Sequence, residues 1–386
     1  MKKALLFLLL FIASPLYSQS EELDLSSWSL EQLLQLKITG STLTPESLSV
    51  VPAAVTAFSH EEIARMGLDT LDELMNLVPG FQSYRSSIAP PHSLFSSRGR
   101  RIGFPAAEIL IVVDGQRVDE PRTSGSVNVI PKYPLMNIER VEFIRGPGAA
   151  VYGSNAMMGV VNIITRSDAN EVSLGYGNLH RRKAYFLSSH QIGEMEISLF
   201  AHIETDDGDE YRVPDTFSTN TITTDDPGEF ANVNAKFQWG STQLTLQHNQ
   251  YRSENFYVLG RLSNGFNENS GQFSSIAIKQ EFDWSSASSS YLWFSYSRSK
   301  YLADVQLTPP GALAGASMPT DDAFSLATDE ALFLVTDLSG SNELRFQWHN
   351  DWYIGQLNSL QFGMEFRHID SPEIVSKNNF DVSDLA

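Results

Sequence analysis

Residues 145–166 read RGPGAAVYGSNAMMGVVNIITR and directly follow the strand-like NIERVEFI. Glycines after a strand suggest a phosphate loop. A P-loop needs G-x-x-x-x-G-K-[ST], in which the lysine neutralises the β- and γ-phosphates. Gly148 and Gly153 have that spacing, but Ser154 and Asn155 follow, so the lysine is missing. A dinucleotide fingerprint needs G-x-G-x-x-G opening a helix. Here Val151 stands at the third glycine position, and the β-rich GVVNIIT follows instead of a helix. The stretch therefore reads as a glycine-rich connection between two strands. Pro147 fixes one φ, and the glycines admit left-handed or crowded positions.

The hydrophobic period changes across this stretch. Upstream, from Glu21 to Arg166, the pattern mixes helix and strand signals. Ser29–Gln32 is a capping box opening a short helix through Leu36, and Ser59–Glu62 opens a second that ends at Gly67. Thr70–Glu73 opens a third, LMNLV, stopped by Pro79-Gly80. VPAAVTAFS, AEILIVVDGQRV with a turn at Asp114-Gly115, NIERVEFI and GVVNIIT are strand candidates. Downstream the helical period is replaced by alternation. In NVNAKFQWG, Val233, Ala235, Phe237 and Trp239 share one face; Asn232, Asn234, Lys236 and Gln238 share the other. ISLFAHIE, IAIKQEFDW, LRFQWHND and LQFGMEFRH repeat the pattern. Runs of ~10 residues, apolar on one face and polar on the other, with aromatics near the ends, are what a transmembrane β-barrel requires. The long polar connection from Thr205 to Glu229 exceeds a sandwich hairpin.

The chain begins MKKALLFLLLFIASPLYSQS: two lysines, an apolar run, then small and polar residues. That is the layout of a secretory signal peptide over residues 1–20. The run is too short for a membrane helix. With 27 Lys+Arg against 46 Asp+Glu, a net charge of −19 argues against nucleic acid as a partner. The absence of cysteine excludes disulfides and thiolate metal sites. The eight histidines lack metal spacing. Asp206-Asp207-Gly208-Asp209 lacks the calcium-loop pattern. No G-x-S-x-G, H-E-x-x-H or paired-carboxylate motif points to an enzyme.

The chain resembles the TonB-dependent outer-membrane receptors. The signature stretch RVEFIRGPGAAVYGSNAMMGVVNIITR carries the likeness, with LMNLVPGF, Ser97-Arg98-Gly99 and Val112–Gly115 ahead of it in order. The plug signature positions are Pro79, Gly80, Arg98, Gly99, Asp114, Gly115, Arg145, Gly146, Pro147, Tyr152, Gly153, Gly159 and Asn162. The resemblance implies an α+β plug domain followed by antiparallel transmembrane β-barrel strands. It divides the chain into a signal peptide (1–20), a periplasmic N-terminal segment (21–44), a plug (45–166) and a partial outer-membrane barrel (167–386). It implies localisation in the outer membrane of a Gram-negative bacterium, contact with outer-membrane lipid, and no cofactor. It also implies uptake of a scarce ligand such as a siderophore, cobalamin or another metal chelate.

The energy for uptake would come from a TonB-type inner-membrane complex that grips a short segment by strand addition. The candidate segment is Leu36, Lys37, Ile38, Thr39, Gly40 and Ser41. Ligand-binding candidates, placed by analogy on apical plug loops, are Tyr84, Arg85, His92, Arg117 and Arg122. Arg98 and Arg145 are expected to face barrel-wall carboxylates and latch the plug. The alternative is a plugged barrel used for ligand binding, adhesion or signalling without import. A signalling version would carry a further domain before the coupling segment, where only about fifteen residues lie. The family barrel has 22 strands. The roughly 220 residues after Arg166 make about nine at ~10 residues per strand plus loops. The expectation is therefore a truncated or partial receptor.

Overall fold

The structure, a computed structural model, describes residues 37–38, 46–47, 54–85, 93–99, 107–123, 125–146, 152–214, 221–254, 267–308, 332–337, 340–354, 358–373 and 375–378. The signal peptide, the helix ending at Leu36, His92 and Pro147 lie outside these residues.

The described chain begins with β1 (Lys37–Ile38) and β2 (Glu46–Ser47), paired antiparallel. β3 (Ala54–Ser59) leads into helix α1 (His60–Met66). The expected capping box forms, with Ser59 N donating to Glu62 Oε2 at 2.8 Å, and Gly67 ends the helix in the left-handed region. Helix α2 (Leu71–Met75) is shorter than the pattern LMNLV suggests. Asn76 ends it by accepting from the Ser83 amide at 2.8 Å, and tighter turns then carry the chain to Gly80. β4 (Phe81–Arg85) and β5 (Ser93–Ser97) form a hairpin.

β6 (Ile109–Val113), β7 (Gln116–Arg117), β8 (Ile138–Arg145) and β9 (Gly159–Thr165) join β3 in one sheet, ordered β3-β8-β9-β6-β7. β6 and β9 are parallel and the other pairs antiparallel. Its central strands are apolar on both faces because both are covered. One face packs Ile111, Val113, Val141, Phe143, Val161 and Ile163 with the α2 side chains Leu71, Leu74 and Met75. The other packs Leu110, Val112, Ile144 and Val160 against Tyr152.

Beyond Thr165 the described elements form an antiparallel wall, with one 3-10 turn at 178–180. Its segments are β10 (Glu171–Tyr176), β11 (Arg182–Ile192) and β12 (Met195–Asp206). A small hairpin, β13 (Tyr211–Pro214) with β14 (Thr221–Thr224), occupies the long connection that follows. The wall continues with β15 (Gly228–Trp239), β16 (Thr242–Glu254), β17 (Glu268–Ser285) and β18 (Ser288–Thr308). It ends with β19 (Leu332–Asp337), β20 (Ser341–Ile354), β21 (Asn358–Asp370) and β22 (Val375–Asn378). β18 pairs β20 along its first half and β19 along its second. β21 pairs β20, and β22 pairs β19. β19/β20 and β21/β22 are thus each one interrupted strand, and the described wall has the nine strands the length suggested.

Burial on the wall is inverted relative to a soluble sheet. On β15, Asn232 and Asn234 are 6% and 7% exposed, while Val233 between them is 45% exposed. On β20, Arg345 and His349 are buried and Leu344 and Trp348 are exposed. The polar face covers the plug and the apolar face points out, as lipid on one side and a filled lumen on the other require. Among the described residues no helix is long and apolar enough to cross a membrane.

Candidate plug–wall interface

The signature residues meet although the chain separates them widely. The Arg98 amide donates to Gly80 O at 2.6 Å, and Arg145 Nη1 donates to Pro79 O at 3.1 Å. Pro79-Gly80, Arg98-Gly99 and Arg145-Gly146 therefore form one knot at the end of β8. Phe81 follows into the adjoining strand and covers Gly159. A Cβ on Gly159 would stand 2.7 Å from Phe81 Cζ and 2.9 Å from Ile144 O, so only glycine fits the strand start.

The VYGSN turn is held from inside the plug. Arg117, 2% exposed, donates to Tyr152 O at 2.8 Å and Ser154 O at 3.0 Å, and pairs with Asp119 at 3.1 Å. Asn155 also donates to Asp119. Burial alone would raise the Asp119 carboxyl, but the charges of Arg117 and Arg367 leave it below its usual range. Asn162 donates to the buried Glu142, which Arg140 also meets.

The Asp114-Gly115 turn has φ of 48° and 84° at its two residues, the hairpin geometry that favours Asp-Gly. Asp114 accepts from the Thr165 amide at 2.9 Å and from Thr165 Oγ1 at 2.6 Å, tying the turn to the plug's exit strand. The wall receives this tip in a socket. Lys236 lies 3.6 Å from Asp114 Oδ1 and donates to Thr165 O at 2.6 Å. Gln247 donates to Val113 O, Arg345 donates to Gly115 O, and the Trp293 ring lies against Gly115.

A second set of contacts sits toward the end of the wall that carries the long connections. Asp69, just before α2, meets Arg181 and Lys183 at 2.7 Å each. Arg181 also grips Glu204 at 2.8 Å, and plug Lys132 pairs with the same glutamate. Partial burial pushes the Asp69 carboxyl up, but hydrogen bonds from Lys183 and Arg181 outweigh it and hold it below its usual value. On the other side of the wall, Arg122 donates to Ser341 Oγ on β20 and to Pro372 O, while Ser341 donates to the buried Glu120.

Two expectations change. Arg98 and Arg145 do not latch the wall: among the described residues neither forms an ion pair with a wall carboxylate, because both turn into the Pro79-Gly80 knot. Arg117 is not an apical ligand contact, because its side chain is buried inside the plug, where its two Nη atoms meet Tyr152 O, Ser154 O and Asp119. Of the remaining ligand candidates, Tyr84 is exposed on β4, Arg122 lies on the plug–wall seam, and Arg85 is described in its backbone alone. Lys37 and Ile38 are a strand already paired with Glu46–Ser47; the rest of the coupling candidate lies outside the described residues. The residues that do clasp plug to wall (Asp69, Lys132, Arg181, Glu204) gave no local sequence signal. Only the alternation in ISLFAHIE, which turns Glu204 inward, hinted at them.

The fold and this seam define a plugged antiparallel β-barrel wall of the outer-membrane type. Residues 47–160 match the family model described as TonB-dependent Receptor Plug Domain. These residues are therefore a TonB-dependent receptor plug, and the chain has the fold of the plug and adjoining barrel wall of such a receptor. Among solved structures, the ferric yersiniabactin uptake receptor FyuA from Yersinia pestis is 16% identical, with a TM-score of 0.62, over 91% of this chain and 52% of that one. The pyoverdine outer membrane receptor FpvA from Pseudomonas aeruginosa, bound to pyoverdine, is 11% identical, with a TM-score of 0.63, over 90% and 51%. The ferric-catecholate import receptor Fiu from E. coli, in its open form, is 17% identical, with a TM-score of 0.53, over 84% and 50%. The chain spans about half the length of these structures.

Proposed function

We propose that the chain acts as the plug-bearing part of an outer-membrane receptor for energy-coupled uptake of a scarce chelate, such as a siderophore, cobalamin or another metal complex. It is a carrier and not an enzyme. The observation that supports this most is the inverted wall. Its polar inner face closes on the plug through Lys236, Gln247, Arg345 and the Asp69–Arg181 contacts, while its outer face is apolar. A pore closed by polar contacts needs an outside force to open it, since the outer membrane holds no nucleoside triphosphate. A TonB-type inner-membrane partner would supply that force through Leu36–Ser41 by strand addition. Ligand would meet the plug at its exposed loops, with Tyr84, Arg85, His92 and Arg122 as candidate contacts.

The test uses cells expressing the receptor with and without residues 36–41. The probes are radiolabelled ferric citrate, a ferric hydroxamate, a ferric catecholate and cyanocobalamin. For the probe that is taken up, deletion should abolish uptake and leave cold surface binding intact. Uptake that survives the deletion would refute the coupling assignment. Failure of all four probes to bind would argue against a chelate receptor.

A further inference from the structure

The outward face of the wall is apolar only up to a defined height. Register sets its side chains in rows across adjacent strands. On β17, β18 and β20 the last apolar row before the polar rows is Ile276, Tyr296 and Leu344; on β15 and β12 the tilt of the strands carries the apolar face one and two rows further, to Val233 and Ile203. Trp284 lies near the short-turn end of the same face. The strand from Trp284 up to Ile276 covers ~27 Å, or roughly 21 Å along the membrane normal at ~40° tilt, close to the ~25 Å apolar band of such barrels.

The next row holds His248, Ser274 and Arg298, and the one above it Gln272 and Lys300. Arg298 is exposed and Lys300 half-buried, and among the described residues neither forms an ion pair. Arg252, one row higher, differs: Glu254 and Glu268 neutralise it at 2.8 Å each. Above that, Glu268 faces Asp304, so the face turns acidic. Two uncompensated cations thus stand ~7 Å apart on one strand, just where the hydrocarbon gives way to headgroups.

Resting on the reading that this face meets the membrane, we infer that Arg298 and Lys300 form a binding site for the phosphate groups of an anionic outer-leaflet lipid. Charge complementarity selects the ligand, and the height of the two side chains selects its headgroup over its acyl chains. Ser274, between Arg298 and His248, adds a hydroxyl at the same level. The site would fix the wall's vertical position by charge, where the apolar band alone fixes it only by thickness.

The test measures retention of diphosphorylated lipid A, and of the same lipid stripped of phosphate, by the full chain isolated from outer membranes in mild detergent. Each cation at an anionic surface is worth about fivefold in affinity, so Arg298→Gln with Lys300→Gln should weaken retention of the phosphorylated lipid roughly 25-fold. Arg252→Gln should leave it unchanged. The swap Arg298→Lys with Lys300→Arg keeps both charges and should retain lipid, which separates charge loss from misfolding. Retention by the double Gln variant within about twofold of the parent, or equal binding of the phosphate-free lipid, would overturn the proposal. Failure of the membrane reading itself would show separately, as parent chain recovered in the soluble fraction.

Discussion

Asp114 is the residue whose loss most directly tests how the plug is tied to its exit strand. Its carboxylate accepts two hydrogen bonds from Thr165, at 2.9 and 2.6 Å, and it occupies the left-handed region at φ 48°. Asp114→Ala strands the buried Thr165 amide, a cost of ~1–3 kcal/mol. It also places an alanine in a left-handed conformation, adding ~1 kcal/mol. The sum is ~2–4 kcal/mol, or about 30- to 1,000-fold in local opening. Asp114→Gly removes the conformational part and should recover ~1 kcal/mol. Asp114→Asn keeps an acceptor and tolerates the geometry, so its cost should fall to ~1–2 kcal/mol, chiefly the weaker neutral hydrogen bond and the lost charge beside Lys236. Amide exchange of Ile163 and Thr165 in the detergent-solubilised chain reads this directly. The order Asn, Gly, Ala of rising exchange is expected. Exchange in Asp114→Ala within about threefold of the parent would refute the tie.

Three further outcomes follow from the same geometry. Gly159→Ala forces a Cβ to within 2.9 Å of Ile144 O, a backbone atom that cannot swing away, so it should destabilise the plug by ~1–3 kcal/mol in denaturant titration. Phe81→Leu should relieve only part of that loss. The Asp69 carboxyl titrates below its unfolded value, so its contribution is complete above pH ~4 and is lost as pH falls through its lower folded value. Acid titration of plug protection should therefore show a decline below pH ~4 that Asp69→Asn flattens; an identical decline in the variant would exclude Asp69 as its source. Arg145→Gln should loosen the Pro79-Gly80 knot, seen as faster exchange in β4 and β5, while exchange of the wall strands stays unchanged. A change confined to the wall would restore the latch.

Local signals in the sequence were accurate where the physics is local. Ser59 and Glu62 cap α1 because both partners lie within one turn, and Asp114-Gly115 makes its hairpin because both residues accept positive φ. Alternation on β15, β17 and β20 marked which face meets the plug, since a period of two survives any tertiary arrangement. The order of the sheets does not follow from such signals. β6 pairs parallel with β9 across nearly fifty residues, and β18 splits between β19 and β20. Nor do the charge partners. Arg117 sits in a polar, loop-like stretch, yet it is buried because the carbonyls of Tyr152 and Ser154 and the carboxylate of Asp119 converge on it. Asp69 finds Arg181 more than a hundred residues away. Long-range charge pairs leave no periodic trace, which explains why the latch was expected on Arg98 and Arg145.

The nine described wall strands turn a polar face to the plug and an apolar face outward, toward lipid on the proposed reading. The chain has no cysteine, so single cysteines introduced along β15 and β20 are unique. Labelling in intact outer membranes with a lipid-soluble maleimide should alternate. Cysteines at Val233, Phe237, Leu344 and Trp348 should react, and those at Asn232, Asn234, Arg345 and Gln347 should stay protected. Uniform labelling along either strand, or reaction of the Asn and Arg positions in preference to their neighbours, would contradict the account.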